Sequence, residues 1–242
     1  MMPYSNTYTF ADLTFFVEHR YEYSCVMCQD YVSTREPDFS VCVTEEDIEA
    51  ERARNGDDKV GAAYLEFLAL YRKICSCAVH RNVLLFHSSA IALDGTAYLF
   101  AAPSGTGKST HAALWRSVFG DRAVMINDDK PLLRVGGGDV TVYGTPWNGK
   151  HRLGANISAS VAGICFLSRG AQNHMEQISE QQALGRILSQ SFRPDSGEGT
   201  AKVVAMAAEL ARRVPMWSLC CNMENAAAEL AYQTMRNGGR SL

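Results

Sequence analysis

The segment from Tyr98 to Thr110 reads YLFAAPSGTGKST: an apolar run, a loop holding Gly105 and Gly107, then Lys108-Ser109-Thr110 opening a stretch with helical spacing. A buried strand that turns at once into a helix puts that helix's unpaired N–H groups at the end of a sheet, which restricts the fold more than any other feature of the chain. Such N–H groups, with the positive end of the helix dipole behind them, suit a polyphosphate, and the two glycines permit close backbone approach. On this reading Pro103, Ser104, Gly105, Thr106, Gly107, Lys108, Ser109 and Thr110 bind ATP. Lys108 lies along the β- and γ-phosphates, and the Ser109 hydroxyl ligates Mg2+. Ala102 stands where the pattern GxxxxGK[ST] has its first glycine. The plain alternative is a glycine-rich strand-to-helix turn with no ligand.

A phosphate loop needs an acid for its metal, and Val124-Met125-Ile126-Asn127-Asp128-Asp129 ends a second apolar strand on two. One carboxylate can hold Mg2+ while the other accepts a proton from a hydroxyl, and acids this close push one pKa upward. Acids are also common in turns that follow strands. Lys130 comes next and balances charge.

The remainder of the 242-residue chain fits an α/β protein. Lys plus Arg number 23 and Asp plus Glu 26, a net charge of −3, which disfavours a charge-driven nucleic-acid binder. No apolar run reaches the roughly 18 residues of a membrane helix, and Glu18, Arg20 and Glu22 stand where a signal peptide would be apolar; a cytoplasmic protein is expected. The eight cysteines read as reduced. Tyr21, Cys25, Cys28 and Val32 recur at helical spacing, so the CxxC pair is expected on the buried face of a helix. Cys75 and Cys77, two apart on another helix, point in different directions and do not complete a zinc site.

Composition shifts near residue 82. Before it the pattern predicts strands at 8–13, 15–19 and 39–43 and helices at 21–32, 44–54 and 59–80, the second capped by Thr44 with Asp47 and ended by Asn55-Gly56. This α+β segment, residues 1–81, is expected to pack on the catalytic core, 82–242. In the core, strands are expected at 83–86, 89–93, 97–101, 124–126, 132–135, 140–143, 163–167 and 216–220, and helices at 108–119, 179–190, 200–213 and 224–236. Asp94-Gly95 reads as a hairpin turn.

The ordered set Phe86-His87-Ser88-Ser89, Ala102 to Thr110, Ile126 to Pro131 and Gly144-Thr145-Pro146-Trp147-Asn148-Gly149-Lys150 resembles the HPr kinase/phosphorylase-like kinases, over roughly residues 80 to 170. The resemblance implies a P-loop fold shared with ATP-dependent phosphoenolpyruvate carboxykinase: a sheet core with flanking helices. It also implies a histidine on the strand before the loop that pairs with the aspartates, here His87. Asp129 is then the candidate general base and Asp128 the candidate metal acid, with their order open. The implied activity is transfer of the γ-phosphoryl group of ATP, with Mg2+, to a serine. GTPWNGK replaces the longer Gly-rich stretch of true HPr kinases, so the serine can belong to a protein, a peptide or a small molecule. In its loosest form the resemblance extends to a homo-oligomer.

Lys150, His151 and Arg152 are candidate ligands for a phosphate or an acidic substrate, and Arg193 for the transferred group; the alternatives are surface cations, Trp147 as packing, and His87 as a core histidine. Tyr21, Tyr23, Tyr31 and Phe39 are either core or a docking surface. Two other classes stay open: an ATP-binding regulatory module without turnover, and carboxykinase-like chemistry on a small acid.

Overall fold

The computed structural model describes residues 3–57, 59–149 and 151–238, which fall into two compact units, 1–81 and 82–242. In the first unit β1 (Tyr4–Phe10) and β2 (Leu13–His19) form an antiparallel hairpin, and β3 (Phe39–Cys42) joins β2 in parallel. The turn is Ala11-Asp12, with φ of 50° and 61°, the left-handed pair that matches strand twist. It precedes the break at Thr14 expected from the sequence, because Leu13 and Thr14 are buried and continue the strand.

The expected helix at 21–32 is a correction. Its regular part, α1, covers only Glu22–Met27, followed by a single 3-10 turn at Gln29–Tyr31. Cys28 is buried, but Cys25 is half-buried and Val32 exposed, so the four residues do not share one face. In α2 (Glu45–Asn55) Thr44 and Asp47 make a reciprocal capping box and Gly56, at φ 68°, closes the helix. The longer α3 (Ala62–Ala78) lays Leu65, Phe67, Leu70 and Ile74 into the core of this unit. Tyr31 is buried there, Phe39 stacks on Phe15, and Tyr23 meets Tyr64 and Phe67 edge-on, so these aromatics pack against their own unit.

The second unit is a mixed nine-stranded sheet. Its strands are β4 (Val83–Leu85), β5 (Ser88–Leu93), β6 (Thr96–Ala101), β7 (Ala123–Asn127), β8 (Leu132–Arg134), β9 (Thr141–Tyr143), β10 (Ser158–Arg169), β11 (His174–Gln177) and β12 (Met216–Cys221). The main path runs β4-β8-β9-β10-β6-β5-β7, with β12 parallel to the far half of β10 and β11 antiparallel to β12. Asp94 and Gly95, at φ 51° and 82°, form the expected hairpin turn between β5 and β6. β10 runs longer than 163–167 because it holds three neighbours at once. Its register against β6 shifts between Val161 and Gly163, and a Cβ at Gly163 would strike the Trp217 ring.

Among the described residues there are seven α-helices, four of them here: α4 (Lys108–Phe119), α5 (Glu180–Gln190), α6 (Gly197–Arg213) and α7 (Asn225–Gly238). Trp115 of α4 packs with Tyr98, Phe100, Trp217 and, from α7, Ala231 and Met235 in a single core cluster. Arg186 of α5 lies over Phe166, whose neighbours Cys165 and Leu167 face that cluster, so helices cover both faces of the sheet. This is an α/β architecture, as expected from the alternation of elements.

Strand register decides which loops share one end of the sheet. Ser88 of β5 lies opposite Ala101 at the end of β6, and Ala90 opposite Asn127 at the end of β7. His87, the 102–107 loop and Asp128-Asp129 therefore emerge at the same end.

Candidate active site

Beyond Ala101 the chain turns through residues 102–107 into α4. Gly105 and Gly107 have φ of 77° and 127°, values that a side chain would strain, which explains why glycine stands at both. Lys108 is the first residue of α4, and its side chain folds back so that Nζ donates to the Ala102 carbonyl at 2.8 Å. Ser109 and Thr110 follow in the exposed first turn. A residue not anticipated from the sequence holds the loop from outside: Arg169, at the end of β10, donates Nε to Thr106 O at 3.0 Å and a terminal nitrogen to Gly105 O. Only the parallel pairing of β10 with β6 puts an arginine 63 residues away beside this loop.

The acids sit on a turn built by Asn127. Its Oδ1 accepts the N–H groups of Asp129 and Lys130 at 2.8 and 2.6 Å, while its Nδ2 donates to Thr145 O and Oγ1 at 3.1 and 3.0 Å. The Thr145 hydroxyl returns a bond to Lys130 O at 2.8 Å, and Ser89 Oγ donates to Asp128 O at 3.2 Å. The two carboxylates are thus fixed in different directions. Asp128 turns toward Gly149, whose N–H donates to Oδ1 at 2.6 Å; Asp129 turns toward His87, with Oδ1 3.0 Å from Nε2, and has Lys130 Nζ at 3.5 Å.

These surroundings separate the two acids electrostatically. Burial raises the Asp128 carboxyl above its usual range, the charge of Asp129 adds to that, and the Gly149 N–H opposes it. Burial also acts to raise Asp129, but the hydrogen bond with His87 and the charge of Lys130 outweigh it, and Asp129 ends below the usual carboxylate range. Lys108, 7% exposed, is lowered by burial while the charge of Asp129 pulls the other way.

Of the residues singled out from the sequence, His87, Lys108 and Asp129 interact electrostatically as one group, with Asp128 adjacent in the chain. His151 and Arg152 are exposed on the loop beyond Gly149, and Trp147 is buried as a packing residue. Lys150 lies outside the described residues. Arg193 is exposed, three residues past Gln190, whose carbonyl accepts the His87 N–H at 2.7 Å. Asn127, Thr145 and Gly149 are legible in the sequence only as parts of the NDD and GTPWNGK strings; nothing there shows that each orients an aspartate.

A ligand cation at this end of the sheet would meet oxygen donors, the Ser109 hydroxyl and a carboxylate; among the described residues no group of three His, Cys, Asp or Glu side chains is placed to hold a metal ion. Few protein oxygens, the remaining positions left to water and phosphate, is the donor set that suits Mg2+. A cavity of about 380 Å³ adjoins the loop, lined by Gly107, Thr110, His111, Leu167, Arg169 and Met223. No helix among the described residues is long and apolar enough to cross a membrane.

Comparison with known proteins adds little. No family model matches the chain, and no curated protein matches it. Among solved structures, an HPr(Ser) kinase/phosphatase from Coxiella burnetii is similar to it at 12% identity over 64% of this chain and 89% of that one, with a TM-score of 0.38. A likeness that distant shows no shared activity.

Proposed function

We propose that residues 82–242 form a phosphotransferase that uses ATP and Mg2+ and moves the γ-phosphoryl group to a hydroxyl, that of a serine in a protein, peptide or small molecule. The observation that carries this reading is the His87–Asp129 pair, 3.0 Å apart, at the sheet end where Lys108 opens α4. A carboxylate held ionised by a histidine, beside a lysine at a glycine-loop helix terminus, is what phosphoryl transfer to a hydroxyl requires.

In this reading the N–H groups of residues 104–109 and Lys108 take the triphosphate, Lys108 exchanging the Ala102 carbonyl for phosphate oxygens. Ser109 and Asp128 would hold Mg2+, which supplies charge neutralisation of the transferring group. Asp129 accepts the proton of the attacking hydroxyl, and His87 keeps that carboxylate oriented. Arg169 stiffens the loop by its two bonds to Gly105 and Thr106, which lowers the cost of ordering it around the ligand.

Purified protein incubated with Mg2+, γ-labelled ATP and fractionated cell extract tests the reading, with Lys108→Ala and Asp129→Asn as controls. Label on serine hydroxyls in the wild-type sample alone is the expected result. ATP binding without transfer, identical in wild type and Asp129→Asn, would replace it with a nucleotide-binding regulatory module.

A further inference from the structure

The first unit contains a second reactive group, built from its own residues. His19 closes β2 and is fully buried, its ring stacked on Tyr4 at 5.8 Å. His19 Nδ1 lies 2.9 Å from the carbonyl oxygen of Tyr21. A carbonyl only accepts, so Nδ1 carries the proton and Nε2 presents its lone pair. That lone pair faces Cys25 Sγ at 3.4 Å. Behind the imidazole is Glu66 of α3, buried, with Oε2 3.8 Å from His19 Nδ1 and its oxygens held by the N–H groups of Arg20 and Tyr21 at 2.6 and 3.0 Å. An imidazole in this position, held from behind by a fixed carboxylate, can serve as the base for the thiol.

The sulfur also has donors beside it. Asn6 Nδ2 points at Sγ from 3.5 Å. The Tyr8 hydroxyl is fully buried against Asn6, Cys25 and Cys28 and satisfies no hydrogen bond of ordinary geometry. A buried hydroxyl that satisfies no acceptor costs stability, and it can donate to an oxygen formed on the neighbouring sulfur. Cys28 is a different kind of thiol: it is buried, and burial followed by the nearby Cys25 pushes it far up, so it stays protonated. Among the described contacts, the titratable groups gathered about Cys25 are His19, Glu66, Tyr8 and Cys28.

We propose that Cys25 is an oxidisable thiol, activated by His19 and taking a hydroperoxide, with Asn6 and Tyr8 as donors to the oxygen it acquires. His19 Nε2 takes the thiol proton and the sulfur attacks one peroxide oxygen. The S–O bond forms as the O–O bond breaks, and the departing oxygen takes the proton back from His19 and leaves as water or an alcohol. Sulfur is oxidised to sulfenic acid by two electrons, and the peroxide is reduced by the same two.

Hydrogen peroxide followed by dimedone, with adducts located by peptide mass spectrometry, tests this on the full chain. Cys42, exposed on β3 and outside the cluster, is the internal reference. Adduct on Cys25 is expected to form about tenfold faster than on Cys42 at neutral pH. His19→Gln should bring the two rates together, and Tyr8→Phe, which keeps the base, should lower the Cys25 yield several-fold. Because His19 is buried, that variant is read only if circular dichroism shows it folded; the wild-type ratio decides otherwise. Equal rates at Cys25 and Cys42 in the wild type, or a folded His19→Gln protein that keeps the wild-type rate, would overturn the proposal.

Discussion

Gly149 donates its N–H to Asp128 Oδ1 at 2.6 Å, and a Cβ at Gly149 would stand 2.9 Å from Asp128 Oδ2. The glycine is therefore required by the carboxylate it holds, not by its own backbone angles. Gly149→Ala must push Asp128 from its place, which should lower turnover at limiting Mg2+ about tenfold or more and the unfolding free energy by about 1–3 kcal/mol. Titration of phosphotransfer against Mg2+, with a thermal melt alongside, checks both effects; a variant with the wild-type Mg2+ curve would remove Asp128 from the site.

Asp129 lies below the usual carboxylate range because His87 and Lys130 outweigh its burial. As base it must be ionised, so in the wild type its protonation should cut the rate only at pH values below the usual carboxylate range. Without His87 its hydrogen bond and charge no longer oppose the burial, only Lys130 does, and the carboxyl rises. The acid limb of the pH–rate profile should then move upward in His87→Ala, and Asp129→Asn should lose turnover by about 10²–10⁴ with ATP affinity nearly unchanged. An acid limb at the same pH in His87→Ala would mean that another group sets it.

Arg169 is exposed, and both its described bonds go to carbonyls of the glycine loop. Arg169→Ala should weaken ATP binding about tenfold by freeing that loop while leaving the thermal midpoint close to that of the wild type. Isothermal titration with a non-hydrolysable ATP analogue separates the two effects; unchanged affinity would show that the loop is stiff without the arginine.

His111 lies beneath the loop, 2% exposed, accepting a bond from Trp115 Nε1 at 3.1 Å, and burial lowers its pKa to about 4. Between that value and the unfolded value near 6.5 the unfolded chain binds the proton and the folded chain does not, so stability rises with pH across this window. Acidification from 6.5 to 4 should cost up to about 3 kcal/mol through this residue. Denaturant melts at several pH values should show a shallower acid slope in His111→Gln, whose side chain can still accept from Trp115. An equal slope in both proteins would place the acid sensitivity elsewhere.

Local signals written in the sequence reappear in the structure with small shifts. The capping box of Thr44 and Asp47 starts α2, Asp94-Gly95 turns the β5–β6 hairpin, and α4 begins at Lys108. These features depend on residues within four positions of one another, so the chain shows them directly. Strand β11, His174–Gln177, is not legible in the sequence: HMEQ is mostly polar and exposed, and only pairing with β12 makes it a strand. The length of α1 misleads for the opposite reason, because helical spacing of apolar residues continues past Met27 where the chain has already turned.

The sequence by itself determined which residues could bind phosphate, hold a cation or accept a proton, since those capacities belong to side-chain chemistry and to the glycine loop at the start of α4. Only the tertiary structure decided which of them meet. His87 and Asp129 are 42 positions apart and pair because β5 lies between β6 and β7, and Arg169 reaches the loop because β10 runs parallel to β6. The environments of Asp128 and Asp129 differ although the residues are adjacent, because burial, one N–H of Gly149 and one imidazole act on them separately. Cys25 and His19 form the same kind of pair, invisible in a CxxC pattern, because a hydrogen bond depends on distances in space that spacing along the chain does not fix.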